Sequence, residues 1–203
     1  LKGRRVGLVT NPSGVDRHLK STIDILFEAP EVNLVALYGP EHGVRGDVYA
    51  GGKVADTKDE ATGLPVYSLY GATRRPTPEM LDGIDVMVYD IQDVGVRSYT
   101  YYVTMVKMMA ACAMEGKEFI VLDRPNPIGF YVDGPILNME KYKSGVGSLP
   151  IPVVHGMTLG EIAYMANESD WLQHGHKDAV GKKVDLKVVK CKNYTHAKLY
   201  RLP

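Results

Sequence analysis

Ile84–Asp93 reads IDVMVYDIQD, and this run decides the fold. Its apolar residues continue without a solvent-facing alternation, as in a strand covered on both sides, and its polar residues gather at its C-terminal end. The same pattern recurs along the chain. Apolar runs also end in Thr10-Asn11-Pro12, Glu41-His42-Gly43, Asp123-Arg124-Pro125-Asn126 and His155-Gly156-Met157. In an open α/β sheet the ligand lies beyond the carboxyl ends of the strands, so these clusters point to one site built from distant pieces of chain.

Working outward from that run, strands are expected over Arg4–Thr10, Val32–Tyr38, Val66–Leu69, Ile84–Ile91, Phe119–Leu122, Ile151–Val154 and Asp185–Cys191. His18–Ala29 carries Leu19, Ile23, Leu26 and Phe27 at helical spacing. Thr77-Pro78-Glu79 opens a short helix with an N-cap and a proline at the first position. Tyr99–Glu115 is a long Met-rich helix closed by Gly116, and Thr158 to Glu161 is a capping box that starts a helix to about Leu172. Strands alternating with helices imply an α/β fold with a mostly parallel sheet covered on both faces. The Gly-, Pro- and Tyr-rich stretch from Arg124 to Pro150 directly follows a strand end, which favours a substrate-facing role.

The 203 residues are enough for one substantial core. Net charge is zero, with 24 basic and 24 acidic residues, so nothing suggests nucleic acid or an anionic membrane as partner. No apolar run reaches the length of a transmembrane helix. Cys112 and Cys191 lack metal-ligand spacing, and Cys112 reads as a buried thiol. A start at Leu1 just ahead of a strand reads as a processed or trimmed N-terminus. No Gly-x-Gly-x-x-Gly turn follows the first strand and no Walker A is present, so no nucleotide cofactor is expected.

Two carboxylates flanking a polar pocket are what glycoside hydrolysis needs, and Glu41, Asp90, Asp93, Asp123 and Asp133 are the candidates. Glu41 can serve as general acid, with His42 orienting it; the structural alternative is a salt-bridged loop glutamate. In Asp90–Tyr99 the strand end offers Asp90, Gln92 and Asp93, and Arg97 offers a guanidinium to an anionic group. There Asp93 or Ser98 could instead cap the following helix, with Arg97 as counter-ion. Asp123, Arg124 and Asn126 stand on a loop stiffened by Pro125 and Pro127, and an internal Asp123–Arg124 turn network is the alternative to substrate contact. His155 reads either as a packed strand-end histidine or as a substrate ligand. Glu161 reads as the capping partner of Thr158. No structural metal is expected at His174 and His176.

Gly39–Gly43 (GPEHG), Tyr89–Tyr101 (YDIQDVGVRSYTY), Leu122–Pro127 (LDRPNP), Val154–Glu161 (VHGMTLGE) and Arg5–Gly14 (RVGLVTNPSG) together resemble the NamZ-like exo-β-N-acetylmuramidases, a family long catalogued as a domain of unknown function. The resemblance is co-linear over essentially the whole chain. It implies a Rossmann-like three-layer domain over residues 1–190, with 191–203 beginning the connection to a smaller C-terminal domain that adds cleft residues. It also implies release of β-linked N-acetylmuramic acid from the non-reducing end of peptidoglycan fragments, without a cofactor. The cell-wall substrate and the absent initiator methionine lean towards a periplasmic or secreted protein, with a cytoplasmic one left open. On that footing Glu41, His42, Asp90 and Asp93 are the catalytic candidates. Asn11, Arg45, Gln92, Arg97, Asp123, Arg124, Asn126 and His155 are the substrate-binding candidates. The base or nucleophile stays open between Asp90, Asp93, a carboxylate outside this chain and the substrate's acetamido oxygen. Arg97 and Arg124, with Arg45 behind them, are candidates for reading the lactyl carboxylate. Two rival readings share these residues: a metal-dependent hydrolase using Glu41, His42, Asp90 and His155, and a non-catalytic muropeptide-binding module.

Overall fold

The computed structural model describes residues 1–46, 57–71 and 75–201. The glycine-rich loop read over Gly39–Gly52 is therefore described as far as Gly46, and its remainder lies outside the described residues, as do Leu202 and Pro203.

A seven-stranded sheet is formed by β1 (Arg5–Thr10), β2 (Asn33–Gly39), β3 (Thr57–Lys58), β4 (Pro65–Ser68), β5 (Val86–Asp90), β6 (Glu118–Leu122) and β7 (Asp185–Val189). The order across the sheet is β3-β4-β2-β1-β5-β6-β7, with every pairing parallel except β3 on β4. Without that short edge strand the order is the doubly wound one, and sheet growth reverses between β1 and β5. The helices are α1 (Thr22–Glu28), α2 (Pro78–Leu81), α3 (Tyr101–Met114), α4 (Met139–Tyr142), α5 (Leu159–Glu168) and α6 (Leu172–Gly175).

Alternate residues of the central strands feed two separate cores. Val6 and Leu8 of β1 and Val86 and Val88 of β5 pack on one face with Ile23 of α1. Val9, Met87, Tyr89, Phe119 and Val121 pack on the other, under α3, α5 and α6. Burial on both faces is why these strands read as unbroken apolar runs. The result is an α/β three-layer, Rossmann-like domain with a mostly parallel sheet.

Several local expectations change. α1 begins at Thr22, with Ser21 as its N-cap, and not at His18. The carboxylate of Asp16 accepts from the amides of His18 and Lys20, which turns the chain before the helix can start. Leu19 has a φ of 62° and is 74% exposed, so it does not belong to the helix's buried stripe. Ile151–Val154 is not a sheet strand. Pro150 and Pro152 remove amide donors there. Val154 instead bridges Val96 on one side and Asp133 on the other, forming a small antiparallel ribbon outside the sheet. α5 ends at Glu168, not near Leu172, because Asp170 adopts a φ of 58° and α6 starts afresh. The capping box of Thr158 and Glu161 is present, as is the Thr77 cap ahead of Pro78. The N-cap of α3 is Thr100, not Asp93 or Ser98, and it makes no side-chain capping bond.

Candidate active site

The register lines up the strand ends. Thr10 pairs with Asp90, and Leu122 of the next strand pairs with Val189. Residues just beyond this row therefore surround the point where sheet order reverses, which is where a doubly wound sheet opens a crevice. The β1 turn folds back on its own strand. Thr10 Oγ1 donates to the Asp90 carbonyl at 2.8 Å, and a Cβ at Gly14 would lie 2.1 Å from that hydroxyl oxygen. Asn11 is buried and its side-chain oxygen accepts from the Ser13 amide at 3.0 Å and from the Ser13 hydroxyl. Ser13 Oγ in turn accepts from the Gln92 amide at 2.9 Å, joining the ends of β1 and β5. Gln92 Nε2 donates to the carbonyls of Asp93 and Pro125, at 2.6 and 2.7 Å, and so joins β5 to the loop after β6.

Above this layer Asp90 grips Arg124. Arg124 Nε donates to Asp90 Oδ1 at 2.6 Å and Nη2 to Oδ2 at 3.0 Å, while Nη2 also reaches the Val15 carbonyl at 2.9 Å. Thr22, the first residue of α1, adds its hydroxyl to Asp90 Oδ2 at 2.5 Å. Thr22 was not among the sequence candidates, since a helix start at His18 hid its place at the N-terminus. The Asp90 carboxylate is thus buried and fully engaged.

Asp93 and His155 form a second buried pair. Asp93 Oδ1 accepts from the Gly95 amide at 2.7 Å and lies 3.5 Å from His155 Nε2. His155 Nδ1 accepts from the Met157 amide at 3.2 Å, so a neutral ring carries its proton on Nε2, the nitrogen facing Asp93. Both side chains are enclosed, which makes the packed reading of His155 the observed one and removes Asp93 from direct contact with a ligand in this state.

Asp123 serves α5. Its oxygens accept from the amides of Arg124 and Gly160, at 3.1 and 2.8 Å, and from the Thr158 hydroxyl at 2.8 Å. Burial pushes its carboxyl up despite these donors. Asn126, also buried, accepts from the Ile128 amide at 3.0 Å and donates to the Met157 carbonyl at 2.9 Å. Asp123 and Asn126 are therefore internal ties, and the Asp123–Arg124 turn network is present. Arg45 is held by Asp59 and by Asp24, the latter at 2.9 Å through Nη2. Those carboxylates hold its guanidinium above its usual range and engage it away from a ligand.

Glu41 differs from all of these. It follows β2 in a turn closed by the Gly43 amide on the Pro40 carbonyl, at 3.1 Å, and it is half-buried. Its neighbours are bent sharply: His42 has a φ of 75° and Gly43 a φ of 76°. A left-handed histidine is uncommon and strained, and such residues cluster at ligand sites. The turn packs on the β1 end, for a Cβ at Gly46 would lie 2.7 Å from Pro12 Cγ. No hydrogen bond or ion pair engages the Glu41 carboxylate among the described residues. No group of three or more His, Cys, Asp or Glu able to hold a metal ion occurs among the described residues, so Glu41, His42, Asp90 and His155 do not converge as a ligand set.

A parallel sheet of this order, with polar side chains layered over its switch point, defines a Rossmann-like domain carrying a strand-end site. The chain belongs to the family described as "Exo-beta-N-acetylmuramidase NamZ, N-terminal", which it matches over residues 6–203. A Bacillus subtilis (strain 168) protein named peptidoglycan beta-N-acetylmuramidase NamZ is 53% identical over 195 residues, covering 96% of this chain and 44% of that protein. Two crystal structures of DUF1343 family proteins from Bacteroides fragilis NCTC 9343 share the fold. One superposes with a TM-score of 0.87 at 55% identity, covering 98% of this chain and 48% of the other. The second gives 0.85 at 47% identity, covering 100% and 51%. The chain thus spans about half the length of the relatives it matches.

Proposed function

We propose that this chain forms the Rossmann-like part of an exo-acting glycoside hydrolase that releases β-linked N-acetylmuramic acid from the non-reducing end of peptidoglycan fragments. The observation that carries the reading is the state of Glu41. Asp90 is tied to Arg124 and Thr22, Asp123 to the start of α5, and Asp93 is enclosed with His155. Glu41 is left with its carboxylate unengaged among the described residues, on a strained turn that packs against the end of β1. Membership of the NamZ N-terminal family and the name of the Bacillus subtilis relative supply the substrate class.

In this mechanism Glu41 is the general acid. It protonates the glycosidic oxygen as the bond to the anomeric carbon breaks through an oxocarbenium-like state. Asp90 and Asp93 act as supports, since Arg124 and Thr22 occupy the carboxylate of Asp90 and Asp93 is enclosed with His155. Attack on that carbon falls to the substrate's acetamido oxygen or to water activated by a carboxylate outside this chain. We place the reaction in cell-wall turnover by a periplasmic or secreted protein, because its polymer lies there; cell fractionation with an antibody to the chain tests that placement.

The deciding experiment is hydrolysis of a chromogenic β-N-acetylmuramic acid glycoside by the full-length protein, beside the β-N-acetylglucosamine glycoside and a Glu41→Gln variant. Turnover of the first glycoside alone, lowered about 10²- to 10⁴-fold by Glu41→Gln with folding intact, supports the reading. Binding of the free sugar without turnover would transfer the site to a muropeptide-binding module.

A further inference from the structure

Three arginines lie on the loops that leave the carboxyl ends of β2, β5 and β6, and they differ in what their guanidinium edges hold. A guanidinium can meet a carboxylate with two parallel hydrogen bonds along its Nε–Nη2 edge or its Nη1–Nη2 edge. In Arg97 only the first is open, because both Nη1 protons are taken. In Arg45 the Nε–Nη2 edge is filled by Asp59, whose Oδ2 accepts from Nη2 at 3.0 Å. In Arg124 it is filled by Asp90, at 2.6 and 3.0 Å. In Arg97 the two protons of Nη1 go to the carbonyls of Pro135 and Ile151, at 2.9 and 2.6 Å, and the Nε–Nη2 edge has no partner among the described residues. Carbonyls fix the group without neutralising it.

The backbone of Arg97 is fixed as well. Its amide donates to the Val153 carbonyl at 2.8 Å within the ribbon that joins Val96, Val154 and Asp133. The nearby carboxylates look elsewhere. Asp93 turns to the Gly95 amide and His155, and Asp133 to the Gly134 amide at 2.7 Å. Arg97 is partly exposed, so a ligand can reach it.

We infer that Arg97 reads a carboxylate on the ligand, and that Arg45 and Arg124 are positioning residues whose charges are already matched inside the protein. The role rests on the glycosidase reading above, in which that carboxylate is the lactyl group of N-acetylmuramic acid. A guanidinium already held at one nitrogen loses little freedom when its other edge is filled, so the contact favours the anionic sugar strongly.

The test is calorimetric binding of free N-acetylmuramic acid and of its lactyl amide to the full-length protein, as wild type, Arg97→Gln and Arg97→Lys. The amide keeps the shape and removes the charge. Wild type is expected to prefer the acid by about tenfold or more. Arg97→Gln, which removes the charge and the fork, should reduce the preference to about twofold, with Arg97→Lys between the two because an ammonium supplies charge without the fork. Retention of the full preference by Arg97→Gln, or no preference in the wild type, overturns the role; should Arg97→Gln fail to fold, full preference in Arg97→Lys does so. Chromogenic turnover is read in parallel. An Arg97-dependent preference in a protein that hydrolyses nothing defeats the glycosidase reading and leaves the carboxylate contact standing.

Discussion

Arg124 lies along Asp90 as a two-point pair, 2.6 and 3.0 Å, between residues that leave neighbouring strands. The pair ties three strand ends together, because the same guanidinium ends on the Val15 carbonyl beyond β1. Removing either member leaves the other charge poorly compensated and largely out of water. Asp90→Ala should therefore destabilise the fold by about 3–5 kcal/mol, and Arg124→Ala similarly. Chemical denaturation of both single variants and the double variant checks this, and the double should lose far less than the two summed.

Thr22→Val keeps the shape of the helix start and deletes one hydrogen bond to a charged acceptor. The expected loss is about 1.5–3 kcal/mol in the same denaturation measurement. No change would mean that the remaining donors suffice to satisfy Asp90.

Gly95 has a φ of 84°, and a Cβ there would lie 2.4 Å from Asn126 Oδ1 and 2.6 Å from Ile128 Cγ1. Gly95→Ala thus meets both a disfavoured backbone conformation and a packed neighbour. The two effects together should lower stability by about 2–5 kcal/mol, read as a drop in melting temperature.

His196 sets a pH dependence for the segment after β7. The hydrogen bond that Nε2 donates to the Glu161 carboxylate holds its imidazole above the ordinary histidine value, with the Gly129 carbonyl assisting and partial burial opposing. A raised folded-state value means the stabilisation is fully present below the unfolded value of about 6.5 and fades as pH rises through the folded one. Since the pair is exposed, the contribution should stay below about 1 kcal/mol. Amide exchange at residues 194–198, corrected for its intrinsic pH dependence, should be more protected at pH 6 than at pH 9, and His196→Ala should abolish the difference.

Much of this fold was legible because its central strands are buried on both faces and write themselves as apolar runs. The polar clusters at their ends marked the crevice for the same reason. The roles inside the clusters were not legible. Asp90 and Asp93 are three residues apart and look alike in sequence, yet one binds Arg124, 34 positions away, and the other faces His155. Only the packing of separate segments decides which carboxylate turns inward. Ile151–Val154 misled for another reason: its composition is strand-like, but Pro150 and Pro152 deny it a place in a ladder and leave it to the Val96 and Asp133 ribbon.

The position of β1 in the middle of the sheet has a consequence for the order in which the strands can pair as the chain emerges. It is made first, but its two flanks are supplied by residues 33–39 and 86–90. A chain emerging N-terminus first must therefore leave one edge of β1 without its backbone partners until β5 has emerged, and β6 stays unpaired on its outer side until residue 185 begins β7. Parallel strands joined over such distances assemble slowly and expose sticky surface while they wait. Emergence of this domain, from a ribosome or across a membrane, is the stage at which chaperones have most to protect.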